Sequence, residues 1–376
     1  MKKVLFASMN KKEDILAWSG TNYSMYNVLT KEYEVKYIYV HSFLASFFRR
    51  MFNTIKLEYF AELLFSYFIS KKFDILIKNC QEDYVVCICA SKFLAYSKTN
   101  KKIIYISDAT YHLMFEYYIN GLNKRISSLY DKIEKAAIEK SYRIIYSNHW
   151  ASEDAISHYN ADYNKIIIEK FGSNIEDKFD KNVIYDTIKD KVDLLIVGVD
   201  FKRKGIDVAI KTTKKLAEAD DKHKYVLHIV GIDTTKVIDY LGIEVYNESL
   251  SFCKYYNKLY KNIENDLYQL IDLYRKSHFF ILPTRAECSA IVYSESAMYG
   301  LPIITRNTGG VTDYVIDGLN GYALPYNSDE NEFAKIILDI INDKEKYKDL
   351  RINSRHFYDK ELNWLKWEGT FKRIIG

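Results

Sequence analysis

Residues 278–284 read HFFILPT, and residues 287–295 read ECSAIVYSE. The first stretch is a short apolar run with aromatic and branched side chains, which is typical of a buried strand. The second stretch places two carboxylates, Glu287 and Glu295, in a polar loop and in the helical segment that follows it. In α/β proteins this order puts both acids at the carboxyl edge of a parallel sheet, where ligands bind.

Two glutamates separated by seven residues are a weak signal alone, because charged pairs at any spacing are common on protein surfaces. The residues that follow make the pattern more specific. Gly300-Leu301-Pro302 ends the helix, Ile303 to Arg306 predict another strand, and the pair Gly309-Gly310 comes next. A glycine pair after a strand permits close approach of the backbone to a ligand.

Apolar runs alternate with helix-length segments along the chain, which predicts parallel strands joined by crossover helices. The predicted strands are Val4 to Ser8, Val35 to Val40, Ile75 to Ile77, Ile103 to Ile106, Arg143 to Tyr146 and Lys165 to Ile168, then Asp193 to Gly198, Tyr225 to Val230, His278 to Leu282 and Leu301 to Thr305. Ile206 to Ala219 has helical spacing. The fold class is therefore α/β, with two Rossmann-like, doubly wound domains.

The polar stretch Glu176 to Lys191 separates the two series. We predict domains at residues 1–175 and 176–355, and a C-terminal helix at 356–376. Trp364 and Trp367 would hold that helix against the first domain.

Composition narrows the class of protein. The chain has 376 residues, a length that fits two domains, and 54 basic against 50 acidic residues, a near balance that disfavours nucleic acid as a partner. Its five cysteines form no C-x-x-C pair and no zinc-like spacing. The amino end lacks a long apolar stretch and no window approaches a membrane span, which predicts a cytoplasmic protein.

A second polar motif is the cationic turn Gly198 to Gly205, which reads GVDFKRKG between a strand and a helix. Three consecutive cations are usually a solvated turn. Their position before a helix at the sheet edge would instead bring Arg203 and Lys204 toward a diphosphate, where they could replace a divalent metal. The chain contains no Asp-x-Asp, so we predict no metal site.

These motifs together resemble the donor site of retaining glycosyltransferases of the GT-B fold, in particular family 4, also called group 1. The resemblance covers most of the chain and is strongest from Asp193 to Pro325. It implies two domains facing each other across a cleft, a nucleotide-sugar co-substrate and no further cofactor. It also implies that Glu287 contacts the donor hexose, Glu295 the ribose hydroxyls, and Lys204 the phosphates, with Arg203 assisting.

Between the two glutamates, backbone N–H groups at the helix start favour phosphate through unpaired donors and the helix dipole. The residues concerned are Cys288, Ser289, Ala290 and Ile291. Cys288 has no adjacent histidine to activate it, which favours a packing role over a nucleophile. Many family members carry an arginine after the first glycine of the cationic turn, where this chain has Val199.

In the first domain, Asp108 and His112 follow a strand and open a helical segment. The family places a histidine in this loop near the anomeric carbon, and either residue could take that place. Asp108 could equally be a helix cap. His149 is a weaker candidate that would pack or cap. Gly20 resembles the family's glycine loop beside the donor phosphate and acceptor, although it could simply serve a turn.

Phe43 to Phe73 mixes aromatic residues with arginine and lysine. Such a helical segment could rest on an anionic membrane surface, or it could pack on its own sheet.

The motifs and the resemblance together predict a metal-independent glycosyltransferase that uses a UDP- or GDP-sugar, and the resemblance alone implies retention of configuration. As a family expectation, its acceptor is a surface glycan or lipid-linked saccharide at the inner membrane face. The alternatives are a nucleotide-sugar 2-epimerase and a catalytically inactive protein of the same fold.

Overall fold

The computed structural model describes residues 2–176 and 188–376. The chain forms two compact units, the first made of Met1–Phe171 and Trp364–Gly376 and the second of Gly172–Asn363. The divisions predicted from the sequence lay at 175/176 and 355/356. Most of the predicted polar linker, residues 177–187, lies outside the described residues.

The first unit is built on a six-stranded parallel sheet in the order β2-β1-β3-β4-β5-β6. Its elements up to residue 168 are β1 (Lys3–Ser8), α1 (Thr21–Leu29), β2 (Glu34–Tyr39), α2 (Phe43–Thr54), α3 (Glu58–Ile77), β3 (Tyr84–Ile88), α4 (Ser91–Leu94), β4 (Lys102–Ser107), α5 (Tyr111–Met114), α6 (Lys124–Lys140), β5 (Arg143–Tyr146), α7 (His149–Ser157) and β6 (Ile166–Ile168). Apolar side chains of the central strands and of α3, α4 and α6 form the core.

One predicted strand of this unit is wrong. Ile75 to Ile77 is the end of helix α3, and the third strand is β3, which lies between β1 and β4. Helix α3 buries Ile69, Phe73 and Ile77 at four-residue spacing, so its last turn reads as an apolar run. Periodicity alone cannot distinguish so short a run in a buried helix from a strand.

The second unit has the same architecture, with the strand order β12-β11-β10-β7-β8-β9, all parallel. Its elements are β7 (Lys191–Val197), α8 (Ile206–Ala219), β8 (Lys224–Val230), α9 (Thr234–Leu241), α10 (Ile243–Ser249), β9 (Cys253–Tyr256), α11 (Glu264–Lys276), β10 (Phe279–Leu282), α12 (Ile291–Met298), β11 (Ile303–Arg306), β12 (Gly321–Leu324), α13 (Glu330–Ile341) and α14 (Lys344–Glu361). The sequence pattern missed the two edge strands β9 and β12, which are only four residues long.

The last helix, α15 (Trp364–Ile375), belongs to the first unit. Trp367 is fully buried, and the ring of Phe371 meets that of Tyr33 edge to face at 5.5 Å. The ring of Trp364 stacks with that of Phe171 at 6.1 Å. Apolar contacts thus attach α15 to residues near both ends of the first segment.

The predicted fold class, α/β with two doubly wound parallel sheets, is confirmed. Within the described part of the chain, no helix combines the length and apolar character needed to cross a bilayer.

Candidate functional site

Three predicted side chains meet in the second unit, where the adjacent strands β7 and β10 end. The ammonium of Lys204 donates a hydrogen bond to Oε2 of Glu287. Nη1 of Arg203 lies 3.5 Å from the same oxygen. Lys204 and Glu287 are both buried. A buried charge must be paired, and here one carboxylate is shared by two cations.

The cationic turn is held against the end of β10 by an arginine that the sequence analysis did not select. The guanidinium of Arg285 binds both carboxylate oxygens of Asp207, at 2.9 and 2.7 Å, and also donates to the carbonyl of Lys202. The hydrogen bonds with Asp207 raise the pKa of Arg285 above its usual value. The backbone N–H of Arg285 donates to the carbonyl of Arg203 at 2.7 Å. These contacts fix the turn that presents Arg203 and Lys204.

Glycines set the path of this turn. Gly205 has φ +70°, and a Cβ there would lie 1.9 Å from the carbonyl oxygen of Pro283. A Cβ on Gly198 would lie 2.7 Å from Cγ of Lys204. Both positions need glycine. At Gly205 the backbone of Pro283 leaves no room for a side chain, and at Gly198 the aliphatic part of the Lys204 side chain fills the space.

Glu295, the second glutamate of the motif, lies on α12 and is fully buried. Its carboxylate is bound by the ammonium of Lys261 and accepts a hydrogen bond from the hydroxyl of Tyr274 at 3.0 Å. The structure therefore places Glu295 in a separate polar group rather than in the Lys204–Glu287 cluster. Neither Lys261 nor Tyr274 was predicted, since they lie 34 and 21 residues away along the chain.

The loop between the two glutamates is buried and leads into α12. Cys288, Ser289, Ala290 and Ile291 are each no more than 9% exposed. Helix α12 begins at Ile291, and its N-cap residue, Ala290, has no side chain that can satisfy the first N–H groups. The glycine pair touches this loop, because the N–H of Gly310 donates to the carbonyl of Glu287 at 3.2 Å. Gly309 has φ +55°.

In the first unit, the predicted glycine loop and Asp108 come together through a tryptophan. Trp18 and Ser19 adopt left-handed φ values of 51° and 57°, and Gly20 follows at 91°. The indole N–H of Trp18 donates to Oδ2 of Asp108 at 3.3 Å. Left-handed conformations in residues other than glycine cost energy and cluster at functional sites, which makes this loop a candidate ligand contact.

The capping roles considered for Asp108 and His149 are wrong. Thr110 is the N-cap of α5, and its hydroxyl accepts from the N–H of Leu113. Asn148 is the N-cap of α7, accepting from Ala151 N–H at 2.8 Å. Thr110 and Asn148 are the caps because they directly precede the first helical residues, Tyr111 and His149, and carry a side-chain oxygen that accepts from a free N–H group.

His112 lies in a different group from Asp108. Its Nδ1 is 2.6 Å from Oδ1 of Asp154, and its ring stacks on that of His158 with centroids 3.7 Å apart. The backbone N–H of His112 donates to the hydroxyl of Tyr159 at 2.9 Å. These contacts direct the imidazole toward α7 and its C-terminal end.

Across residues 2–176 and 188–376, no group of three or more histidine, cysteine or acidic side chains has the geometry to hold a metal ion.

Comparison with known proteins defines the class. The solved structure of WaaG, a glycosyltransferase involved in lipopolysaccharide biosynthesis, is similar to this one. The match covers 97% of this chain and 98% of the WaaG chain, with a TM-score of 0.64 and 16% sequence identity. The match with the structure of HepE from Anabaena in complex with UDP covers 100% of this chain and 99% of the HepE chain, with a TM-score of 0.65 and 14% sequence identity. The two parallel sheets and these superpositions define a GT-B fold.

Residues 177–357, just under half of the chain, match the family described as glycosyl transferases group 1, which supports a GT-B glycosyltransferase. An uncharacterized glycosyltransferase of Methanocaldococcus jannaschii is 28% identical over 178 residues, which cover 46% of this chain. The lipopolysaccharide glucosyltransferase WaaG of Escherichia coli (strain K12) is 25% identical over 175 residues, again 46% of this chain. The chain spans 44% of the length of each of these two relatives.

Proposed function

We propose that this protein transfers a sugar from a nucleoside diphosphate sugar to an acceptor hydroxyl, with retention of configuration at the anomeric carbon. The observation that carries the proposal is the meeting of Lys204 and Arg203 on the carboxylate of Glu287 at the carboxyl edge of the second sheet. Such an edge is where doubly wound sheets bind nucleotides.

The cationic turn suits a diphosphate. An ammonium has three N–H donors, and Lys204 uses one on Glu287, so two remain for phosphate oxygens. Arg203 donates to the carbonyl of Ala286 at 3.1 Å, and its planar guanidinium has the geometry that suits a phosphate group. Neither α8 nor α12 has a side-chain cap at its N-terminus, and the helix dipoles add partial positive charge there. UDP bound to HepE supports a uridine nucleotide as the first donor to test.

In the proposed step, the acceptor oxygen attacks the anomeric carbon from the face on which the diphosphate departs. The bond between that carbon and the phosphate oxygen breaks, the new glycosidic bond forms, and the acceptor proton passes to the departing phosphate. Lys204, Arg203 and the backbone donors stabilise the charge that develops on the leaving group. Glu287 orients the hexose and Glu295 the ribose, because ionised carboxylates accept hydrogen bonds from hydroxyls.

Asp108 is proposed to act near the anomeric carbon in preference to His112. Its carboxylate lies with the strained glycine loop, whereas His112 is engaged with Asp154 and His158. Gly20, Gly309 and Gly310 would let the backbone approach the donor phosphate or the acceptor.

The acceptor is proposed to be a bacterial surface glycan or a lipid-linked saccharide, met at the cytoplasmic face of the membrane. The involvement of WaaG in lipopolysaccharide biosynthesis supports this class. Transfer is proposed to need no metal ion, since the cations of the turn occupy the place where charge develops.

A thermal-shift panel of nucleotide sugars tests donor binding, because a ligand that binds only the folded protein raises its melting temperature. We expect one UDP- or GDP-sugar to raise it, Lys204→Ala to abolish the shift, and Lys202→Ala, an exposed neighbour, to keep it. With that donor, Lys204→Ala should lose about 2–4 kcal/mol of transition-state stabilisation in kcat/KM. A loss smaller than tenfold would contradict the role of Lys204.

Incubation with UDP-N-acetylglucosamine alone separates the alternatives. An epimerase converts it without an acceptor, whereas a transferase consumes it only slowly by hydrolysis. Donor binding with neither hydrolysis nor transfer to any surface-glycan acceptor would instead indicate an inactive protein of the same fold.

A further inference from the structure

Helix α2 and the start of α3 carry a surface that the proposed reaction does not use. Phe43, Phe47, Met51 and Ile55 follow one another at four-residue spacing and are all exposed, with Leu44 beside them. Phe43 is 80% and Phe47 51% exposed. We call these five residues the outer face of α2. Leu57 and Phe60, also exposed, extend it into α3.

The opposite side of α2 is already packed. Ala45 is buried, and the ring of Phe48 stacks on Phe68 of α3 at 5.2 Å. Nε of Arg49 donates to Glu62 of α3 at 2.5 Å. The hairpin of α2 and α3 therefore has its apolar contacts on the inner side, and the outer face is a second apolar surface exposed to solvent. Contiguous exposed apolar patches of this kind mark interaction sites.

The charges around the outer face indicate its partner. Residues 41–57 contain no aspartate or glutamate, and Arg50 and Lys56 are exposed beside the apolar side chains. A helix with large apolar residues on one face and flanking cations lies in the interface of an anionic bilayer. A second copy of this chain fits less well, since a symmetric contact would bring the same cations from both copies together.

We infer that the outer face of α2 docks the protein onto an anionic lipid surface, with Phe43, Leu44, Phe47, Met51 and Ile55 entering the boundary between headgroups and acyl chains and Arg50 and Lys56 contacting lipid phosphates. This inference locates the membrane contact on named residues of the first unit. It does not depend on which donor or acceptor the protein uses.

The test is flotation of the full chain with vesicles, without donor or acceptor. Vesicles of phosphatidylcholine with about one-third phosphatidylglycerol should bind the protein, and phosphatidylcholine alone should bind it about tenfold more weakly. The variant Phe43→Ser/Phe47→Ser should lose binding about tenfold, as should Arg50→Glu/Lys56→Glu. Leu365→Ser, which is 72% exposed on α15, and the exposed Lys211→Glu of α8 are matched controls and should bind normally.

Each variant is also tested for its melting temperature, because a misfolded protein would lose binding for another reason. Normal flotation of a folded Phe43→Ser/Phe47→Ser variant overturns the inference, and so does failure of the parent protein to bind anionic vesicles. A concentration-dependent dimer that this double substitution dissociates would overturn it in favour of a contact between copies. Donor-induced thermal shifts are scored separately, so the failure of lipid binding and that of the proposed reaction are distinguishable.

Discussion

At the scale of single residues, Glu295 shows how the second unit supports a charge in its interior. The carboxylate is fully buried and has the ammonium of Lys261 on one oxygen and the hydroxyl of Tyr274 on the other. Burying a carboxylate without a counter-charge would cost several kcal/mol. Lys261 thus neutralises Glu295, and both oxygens keep a lone pair for a further donor such as a ribose hydroxyl.

Substituting Lys261 by methionine should destabilise the second unit by about 1–3 kcal/mol, because it leaves Glu295 charged, buried and unpaired. We expect Glu295→Gln to recover part of that loss when combined with Lys261→Met, since the amide needs no counter-charge. Urea unfolding of the parent, both single variants and the double variant measures this coupling.

Lys258→Met is the matched control, since Lys258 is exposed in the same loop. Equal stability of the Lys261→Met and Lys258→Met proteins would show that Lys261 does not stabilise the buried carboxylate.

Glu134 is a buried acid that the proposed reaction leaves unused. It is 2% exposed, and its Oε1 accepts a hydrogen bond from the hydroxyl of Tyr105 at 2.9 Å. Burial raises the pKa of Glu134 from 4.5 to about 7. Between these values the folded protein keeps a proton that the unfolded chain releases, so this group makes the protein less stable as pH rises through that window.

Glu134→Gln removes the titration while retaining an oxygen that can accept from Tyr105. Its stability relative to the parent should therefore rise between about pH 5 and pH 8 and stay level above that. Urea unfolding at both pH values tests this, with the exposed Glu153→Gln as the control. If the free energy of unfolding of Glu134→Gln differs from that of the parent by the same amount at both pH values, Glu134 does not keep a proton in the folded protein.

The residues of the candidate site were predictable to different degrees. Glu287, Arg203 and Lys204 could be predicted because each lies within a few residues of a strand end, and ligands bind at the carboxyl ends of parallel strands. Arg285 lies equally near the end of β10 and was overlooked, and Lys261 was missed because it follows β9, a strand that the sequence pattern did not predict. Trp18 was missed, since nothing in the neighbouring sequence predicts its hydrogen bond to Asp108.

At the scale of elements, the turn between β7 and α8 depends on Gly205. A Cβ at this position would lie 1.9 Å from the carbonyl oxygen of Pro283, so Gly205→Ala must displace the turn from the end of β10. We expect a loss of about 2 kcal/mol or more in stability and loss of the donor-induced thermal shift.

Gly369→Ala provides the comparison, because nothing lies within 4 Å of a Cβ there and the residue is inside α15. Alanine favours a helix over glycine, so this variant should be as stable as the parent or more so. Gly205→Ala with parental stability and donor binding would contradict the packing of the turn.

Most elements followed from local pattern, and a few did not. Helix α8 was predicted with its observed bounds, because its apolar residues recur at helical spacing. The end of α3 was mistaken for a strand, and β3, β9 and β12 were missed. Strands β9 (CKYY) and β12 (GYAL) lack the adjacent isoleucine or phenylalanine residues that marked the equally short β5, β10 and β11, and β3 (YVVCI) was overlooked because the end of α3 was taken for that strand. Their placement depends on neighbours in the sheet, which single-sequence patterns do not encode.

At the scale of the whole molecule, the fold class followed from an alternation repeated twice along the chain. Each unit builds six parallel strands, and each presents its candidate residues after strand ends, Asp108 after β4 and Glu287 after β10. The net charge of +4 gives no hint of this, because the cations proposed to bind the diphosphate, Arg203 and Lys204, are two of 54 basic residues. Position relative to the sheet, rather than composition, indicates the function.

The proposed source of leaving-group stabilisation leads to the last prediction. If Arg203 and Lys204 supply the positive charge, a chelator should not slow the reaction. We expect turnover with the identified donor to change less than twofold in excess EDTA, while Lys204→Ala loses at least tenfold under the same conditions. Initial rates measured with EDTA and with added Mg²⁺ or Mn²⁺ provide the comparison. Recovery of Lys204→Ala activity by a divalent ion would still agree with the proposal, since the ion would replace the missing charge. Loss of parent activity in EDTA and its recovery with Mg²⁺ would contradict it, because the cationic turn would then not stabilise the leaving group alone.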